Sequence, residues 1–238
     1  MSERGTRNST LFGTAIMLMF FVTTTRLQLP VELFYLFLAF ILLFQAVFFH
    51  LDTGELVIDT RNWSIEELPP QLVAGVAIGT AIGGPLVFLG TARPPEDFLG
   101  ELVTQTIFVT FVETIFMVVL VRTIRFRGFP LGLLVQPPLF GFMHAAVRVP
   151  WLTGQFTLES LAFFGYATLF GFFFEGLYVA RDYLSPKSTF LGWPLPKFFG
   201  AVTVQLVHLV LNLILVLVRV QAGTFELFPL LVSLGVLA

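Results

Sequence analysis

His208 and Asn212 stand four residues apart in Gln205-Leu206-Val207-His208-Leu209-Val210-Leu211-Asn212. On a helix that spacing puts both side chains on one face. Apolar residues surround them, so each polar group is costly unless something satisfies it. Few ionisable residues elsewhere lie well inside apolar runs: Glu113, His144 and Glu175. The chemistry open to this set is narrow. With no Cys there is no thiol nucleophile, no Cys-ligated zinc and no disulfide. Neither Gly-x-Ser-x-Gly nor His-Glu-x-x-His occurs. One carboxylate and two imidazoles leave two options. Glu113 acts as a general base on water, with the imidazoles and the Asn212 amide stabilising an oxyanion. Alternatively, Glu113, His144 and His208 ligate a catalytic metal such as zinc. Both lead to hydrolysis, and spacing does not choose between them.

These residues sit on apolar elements. Of the 238 residues, 56% are hydrophobic and 12% charged, where a soluble domain carries about 25% charge. The mean hydropathy is +0.90. The expected fold is an all-α polytopic membrane protein, a single domain over residues 1–238. Its net charge of -2 gives no reason to expect a nucleic-acid partner. A spanning helix needs roughly 20 apolar residues, and eight candidates are present. They are Leu11–Thr25, Val31–Phe49, Gln71–Leu89, Glu101–Val121, Leu131–Val147, Leu161–Ala180, Phe198–Val218 and the short Phe225–Ala238. The first lacks a small-residue cleavage site and is read as a retained helix. Gly75, Gly79 and Gly83 form a small-residue ridge for close helix packing. Pro137-Pro138 predicts a kink or unwinding. His50 to Pro70 is read as a polar surface loop in which Ser64 and Glu67 cap a short interfacial helix.

With eight spans, Arg4, Arg7, Arg61, Arg122, Arg125, Arg127, Arg181, Lys187 and Lys197 share one side. Arg26, Arg93, Arg148 and Arg219 take the other. The excess places both termini in the cytoplasm. At 1.5 Å per residue, Glu113 lies ~13 Å from Arg122, His144 ~20 Å in from Leu131, and His208 ~15 Å in from Phe198. Glu113, His144, His208 and Asn212 therefore fall in one layer. Glu175, ~9 Å from Arg181, is shallower and is a secondary candidate, expected to snorkel or to pair with Arg122 or Arg125. Thr106, Thr110 and Glu113 make one polar stripe, which faces protein or water rather than lipid. On the plainer alternative the Thr hydroxyls bond back to their own helix and Glu113 is interhelical glue.

Phe140-Gly141-Phe142-Met143-His144 reads as FxxxH, His208 to Asn212 as HxxxN, and Glu113 lies on the preceding helix. In that order the chain resembles the CPBP family of intramembrane proteases, the CAAX prenyl endopeptidases and bacteriocin-processing enzymes also called Abi. Phe163-Phe164-Gly165, Phe170-Gly171 and Gly176-Leu177-Tyr178 look like that family's Gly-rich segment. The resemblance covers about 101–218. Residues 1–100 would add three accessory helices contributing only hydrophobicity, and 219–238 a last helix. It implies a glutamate-dependent endopeptidase, cofactor-free, with Glu113 activating water assisted by His144. His208 and Asn212 would form the oxyanion site. The substrate would be a membrane-embedded or lipid-anchored peptide, and the setting the plasma membrane of a prokaryote. The family's first motif is usually two glutamates with an Arg one turn on. Here Val112-Glu113-Thr114-Ile115-Phe116-Met117-Val118 lacks the second acid and the Arg. Arg122 lies on the opposite face. A catalytically inactive scaffold, immunity or assembly protein on the same fold therefore stands as the alternative. A transporter is disfavoured, since no internal repeat is visible.

Overall fold

The computed structural model describes residues 11–13, 15–20, 22–23, 29–57, 65–89, 91–92, 100, 102–125, 130–148 and 158–219. The candidate span Phe225–Ala238 and the cap residue Ser64 lie outside them. The described chain is mostly helical. A short apolar helix, Leu11–Phe20, precedes α1 (Val31–Thr53), α2 (Leu68–Leu89), α3 (Thr110–Thr123), α4 (Gly132–Arg148), α5 (Leu158–Tyr183) and α6 (Ala201–Leu217). Four two-residue strands accompany them. β1 (Thr91–Ala92) pairs antiparallel with β4 (Val218–Arg219), and β2 (Thr189–Phe190) with β3 (Trp193–Pro194). Among the described residues, two helical stretches are long and apolar enough to cross a membrane. They are Glu32–Thr53, with mean hydropathy 2.2, and Leu102–Thr123, with 1.9.

Two helices run parallel to their partners, as paired contacts show. Tyr35 bonds Glu113, and Gln45 Nε2 donates to Thr123 Oγ1 at 2.8 Å. Both partners advance together, so α1 lies parallel to α3. The Gly ridge of α2 lies on α6 in the same sense. A Cβ at Gly75 would fall 2.5 Å from Leu206 Cβ, and one at Gly79 2.8 Å from Val210 Cβ. Only hydrogen at these positions lets the backbones approach so closely. By contrast, α3, α4 and α5 form two antiparallel hairpins. Gly132 packs on the Leu120 carbonyl, and Gly171 on Pro137.

Several expectations need correction. α4 runs helical through Pro137 and Pro138, so the pair does not unwind it. Each removes one i→i−4 hydrogen bond, to the Leu133 and Leu134 carbonyls, and Gly171 leaves room for the Pro137 ring. Irregular winding occurs instead at Leu102–Val109, a π-helix that leads into α3. Such winding is rare and concentrates at functional sites. The polar segment after the second candidate span begins later than expected. α1 continues to Thr53 and ends at Gly54, whose φ of 72° suits glycine and whose N–H meets the His50 carbonyl at 2.7 Å.

The second, fourth and sixth loops meet at one end of the bundle. Arg181 clamps Glu67 through both guanidinium nitrogens, at 2.5 and 3.0 Å. Arg125 lies 3.7 Å from Glu55. Glu67 thus pairs with Arg181 in the last turn of α5. The clamp is bidentate and only partly exposed, so it is worth more than a surface pair. Glu67→Gln is expected to destabilise the protein by about 1.5–3 kcal/mol, read as a lower midpoint of thermal unfolding in detergent.

Burial on α1 is one-sided. Phe34, Tyr35, Leu38, Leu42, Gln45 and Phe49 face the core, while Phe37, Phe40, Leu43, Phe44 and Leu51 stand exposed. α3 and the π-turn repeat the pattern. Thr106, Thr110 and Glu113 are buried; Val103, Ile107 and Phe111 are exposed.

Candidate active site

Three helices bring Glu113, His144 and His208 together. Glu113, on the first turn of α3, is almost wholly buried, with its side chain 1% exposed. His144 Nε2 lies 3.4 Å from its Oε1, and His208 Nε2 lies 3.0 Å from its Oε2. The Oε2 approach is close but off the line of a hydrogen bond, so Oε2 has no aligned donor. The two carboxylate oxygens are therefore differently held. Asn212 stands one turn beyond His208 on α6, half-buried. His144 is the most exposed of the three, its side chain 19% accessible, so the cluster is reached from its side.

Phenylalanines orient both imidazoles. His144 Nδ1 lies 2.9 Å from the Phe140 carbonyl on its own helix. A carbonyl only accepts, so Nδ1 carries the proton. A neutral ring then turns the Nε2 lone pair toward Oε1. A proton on Nε2 or on the carboxyl would link the two across 3.4 Å. The Phe140 ring also packs on His144 at 4.3 Å. The Phe174 ring stacks on His208 at 4.7 Å and 29°.

A second rung fixes α6 against α3 one turn away. Gln205 Nε2 donates to Thr110 Oγ1 at 2.9 Å, and Thr110 donates to the Thr106 carbonyl at 2.5 Å. Gln205 precedes His208 by three residues, as Thr110 precedes Glu113, so both rungs use matching faces. Thr110 thus bonds back to its own helix and also serves the interface, while the buried Thr106 hydroxyl has no hydrogen-bond partner among the described residues. Gln205 was visible in the sequence as a polar residue on the His208 face, but nothing there named its partner.

The main residue that spacing did not reveal is Tyr35. Its hydroxyl donates to Glu113 Oε1. The accessory helices therefore contribute more than hydrophobicity. The only signal was a hydroxyl in an otherwise apolar run.

Glu175 departs from expectation. It is buried at 6% exposure, beside Phe174 on α5, and its Oε2 has no hydrogen-bond partner among the described residues. Arg122 donates instead to Tyr178, at 3.0 Å, and Arg125 lies by Glu55. Helix packing buries the carboxylate instead of letting it snorkel. Glu175 does not join the Glu113 cluster.

No group of three His, Asp or Glu side chains among the described residues is arranged to hold a metal ion. The two imidazoles approach different oxygens of one carboxylate, and Oε1 already accepts from Tyr35. The zinc reading gains no support from this geometry. Compared with known proteins, the chain matches no family model, no curated protein and no solved structure.

Proposed function

We propose that the chain is an intramembrane glutamate-dependent endopeptidase of the kind its motifs resemble. It would be a multi-pass protein of about eight spans with both termini cytoplasmic. The observation that carries this reading is the convergence of Glu113, His144 and His208 from three helices, with the carboxylate buried. The bilayer setting is supported by the exposed Phe and Leu face of α1, which water would not tolerate as a contiguous patch. The meeting of the second, fourth and sixth loops supports the alternating topology.

The chemistry follows from the two carboxylate oxygens. Oε2, lacking an aligned donor, takes a proton from the attacking water. The water oxygen bonds to the scissile carbonyl carbon, and the carbonyl oxygen becomes an oxyanion. His208, beside Oε2, and Asn212, one turn on, donate to that oxyanion. The proton on Glu113 then passes to the leaving amine as the C–N bond breaks. His144 faces Oε1 and steadies the carboxylate from that side while Oε2 carries the proton. The substrate is a peptide within the bilayer or anchored to it.

The lack of a second acid and an Arg beside Glu113 favours one other reading, a non-catalytic scaffold, immunity or assembly protein. Labelling of new protein N-termini in membranes, read by mass spectrometry, separates the two. Cells with the intact protein should yield termini absent from Glu113→Ala and His208→Ala cells at equal protein levels. The same termini in both variants would falsify the peptidase reading. No new termini with any form would favour the scaffold.

A further inference from the structure

We propose that Tyr35 is the positioning residue for Glu113, holding Oε1 so that Oε2 is the oxygen that reacts; this rests on the peptidase reading above. A glutamate side chain ends in a torsion with broad, roughly two-fold preference. A catalytic base therefore needs a third group to fix it. No acid or Arg on α3 is placed to do so, and the orienting group comes from another helix. The Tyr35 phenol is an O–H donor and the carboxylate oxygen the acceptor. One oxygen is occupied, and the other, beside His208, lacks an aligned donor.

Tyr35 is itself held. It is buried at 4% exposure, and Phe34 meets its ring edge-on at 5.2 Å. The helix register is fixed a second time, ~15 Å away, where Gln45 bonds Thr123. That second tie provides a control, because it docks the same helix without touching Glu113.

The test uses the purified protein in detergent, with a dye-labelled apolar transmembrane peptide as substrate. Tyr35→Phe removes only the hydroxyl. It is expected to lower kcat by about 10- to 100-fold, the loss of one hydrogen bond to a charged group, with KM unchanged. Gln45→Leu is expected to lower the unfolding midpoint while leaving kcat within about twofold of the parent. An infrared carboxyl band identified by its loss in Glu113→Gln should shift in Tyr35→Phe and stay in place in Gln45→Leu. If the parent cleaves and Tyr35→Phe cleaves equally well, the positioning role is wrong while the peptidase reading stands. Equal losses of kcat in the two variants would mean that Tyr35 merely docks α1, which also overturns it. If the parent protein cleaves nothing, the peptidase reading and the positioning role fall together.

Discussion

Glu113→Gln should leave the protein folded and inserted while reducing peptide hydrolysis by about 10²–10⁴-fold, the usual contribution of a positioned base. The amide keeps the volume and planarity of the carboxyl group, so neither cavity nor overpacking arises. It still accepts from the Tyr35 hydroxyl through its carbonyl oxygen. Its NH₂ then lies where Oε2 now lies, beside His208 Nε2, and can donate to a neutral imidazole. The buried contacts are thus largely retained, and the unfolding midpoint should move little. What disappears is the only group of the cluster that can take a proton at Oε2. Glu113→Ala is harsher, because it removes the buried carboxylate that Tyr35 and His208 face and leaves a cavity there. The informative comparison is therefore hydrolysis of the dye-labelled transmembrane peptide against thermal unfolding for Glu113→Gln. Retained hydrolysis would remove Glu113 from the chemistry. Loss of folding along with hydrolysis would show that Glu113 is interhelical glue.

Why was part of this site legible in the sequence and part not? His208 and Asn212 declared themselves because polar residues four apart in an apolar helix are costly. Glu113 and His144 could be joined to them by depth alone, since helical rise is uniform enough to compare levels across helices. The contact of Glu113 with His144 and His208 follows that arithmetic. Glu175 shows its limit. Depth along one helix says nothing of which neighbours cover a residue, and Glu175 is buried despite lying near the helix end. Tyr35 was hidden for a related reason. Its partner is remote in sequence, and nothing local distinguishes a phenol that bonds across helices from one that packs. The π-helix over Leu102–Val109 left no pattern either, because eight residues are under two turns of that winding. The Pro pair does not unwind the helix, because losing two hydrogen bonds in a seventeen-residue helix leaves the rest of its ladder in place.

The ridge of α2 ties the accessory part of the chain to the site, and graded substitutions along it should show this. Gly79→Ala places a Cβ 2.8 Å from Val210 Cβ and 3.2 Å from the Val207 carbonyl. Those atoms flank His208 on the same helix. Val207 is fully buried and the neighbouring atoms are backbone or branch points, so they cannot rotate aside. α6 must move away from α2. Overpacking of this kind costs about 1–3 kcal/mol, and a shift of about 1 Å in a catalytic group lowers turnover about 10²-fold. A loss in kcat of at least about tenfold, together with a lower unfolding midpoint, is therefore expected for Gly79→Ala. Gly83→Ala should be milder. Its Cβ would meet Ile214 Cδ1 at 2.5 Å, the tip of a flexible side chain that can take another rotamer. Gly84→Ala should be harmless to both readouts, since nothing lies within 4 Å of the added atom, and alanine is the better helix former. The three substitutions are chemically identical, so only the geometry of the α2–α6 contact separates them. If Gly84→Ala harms the protein as much as Gly79→Ala, the cost belongs to α2 itself and close approach to α6 is not what places His208.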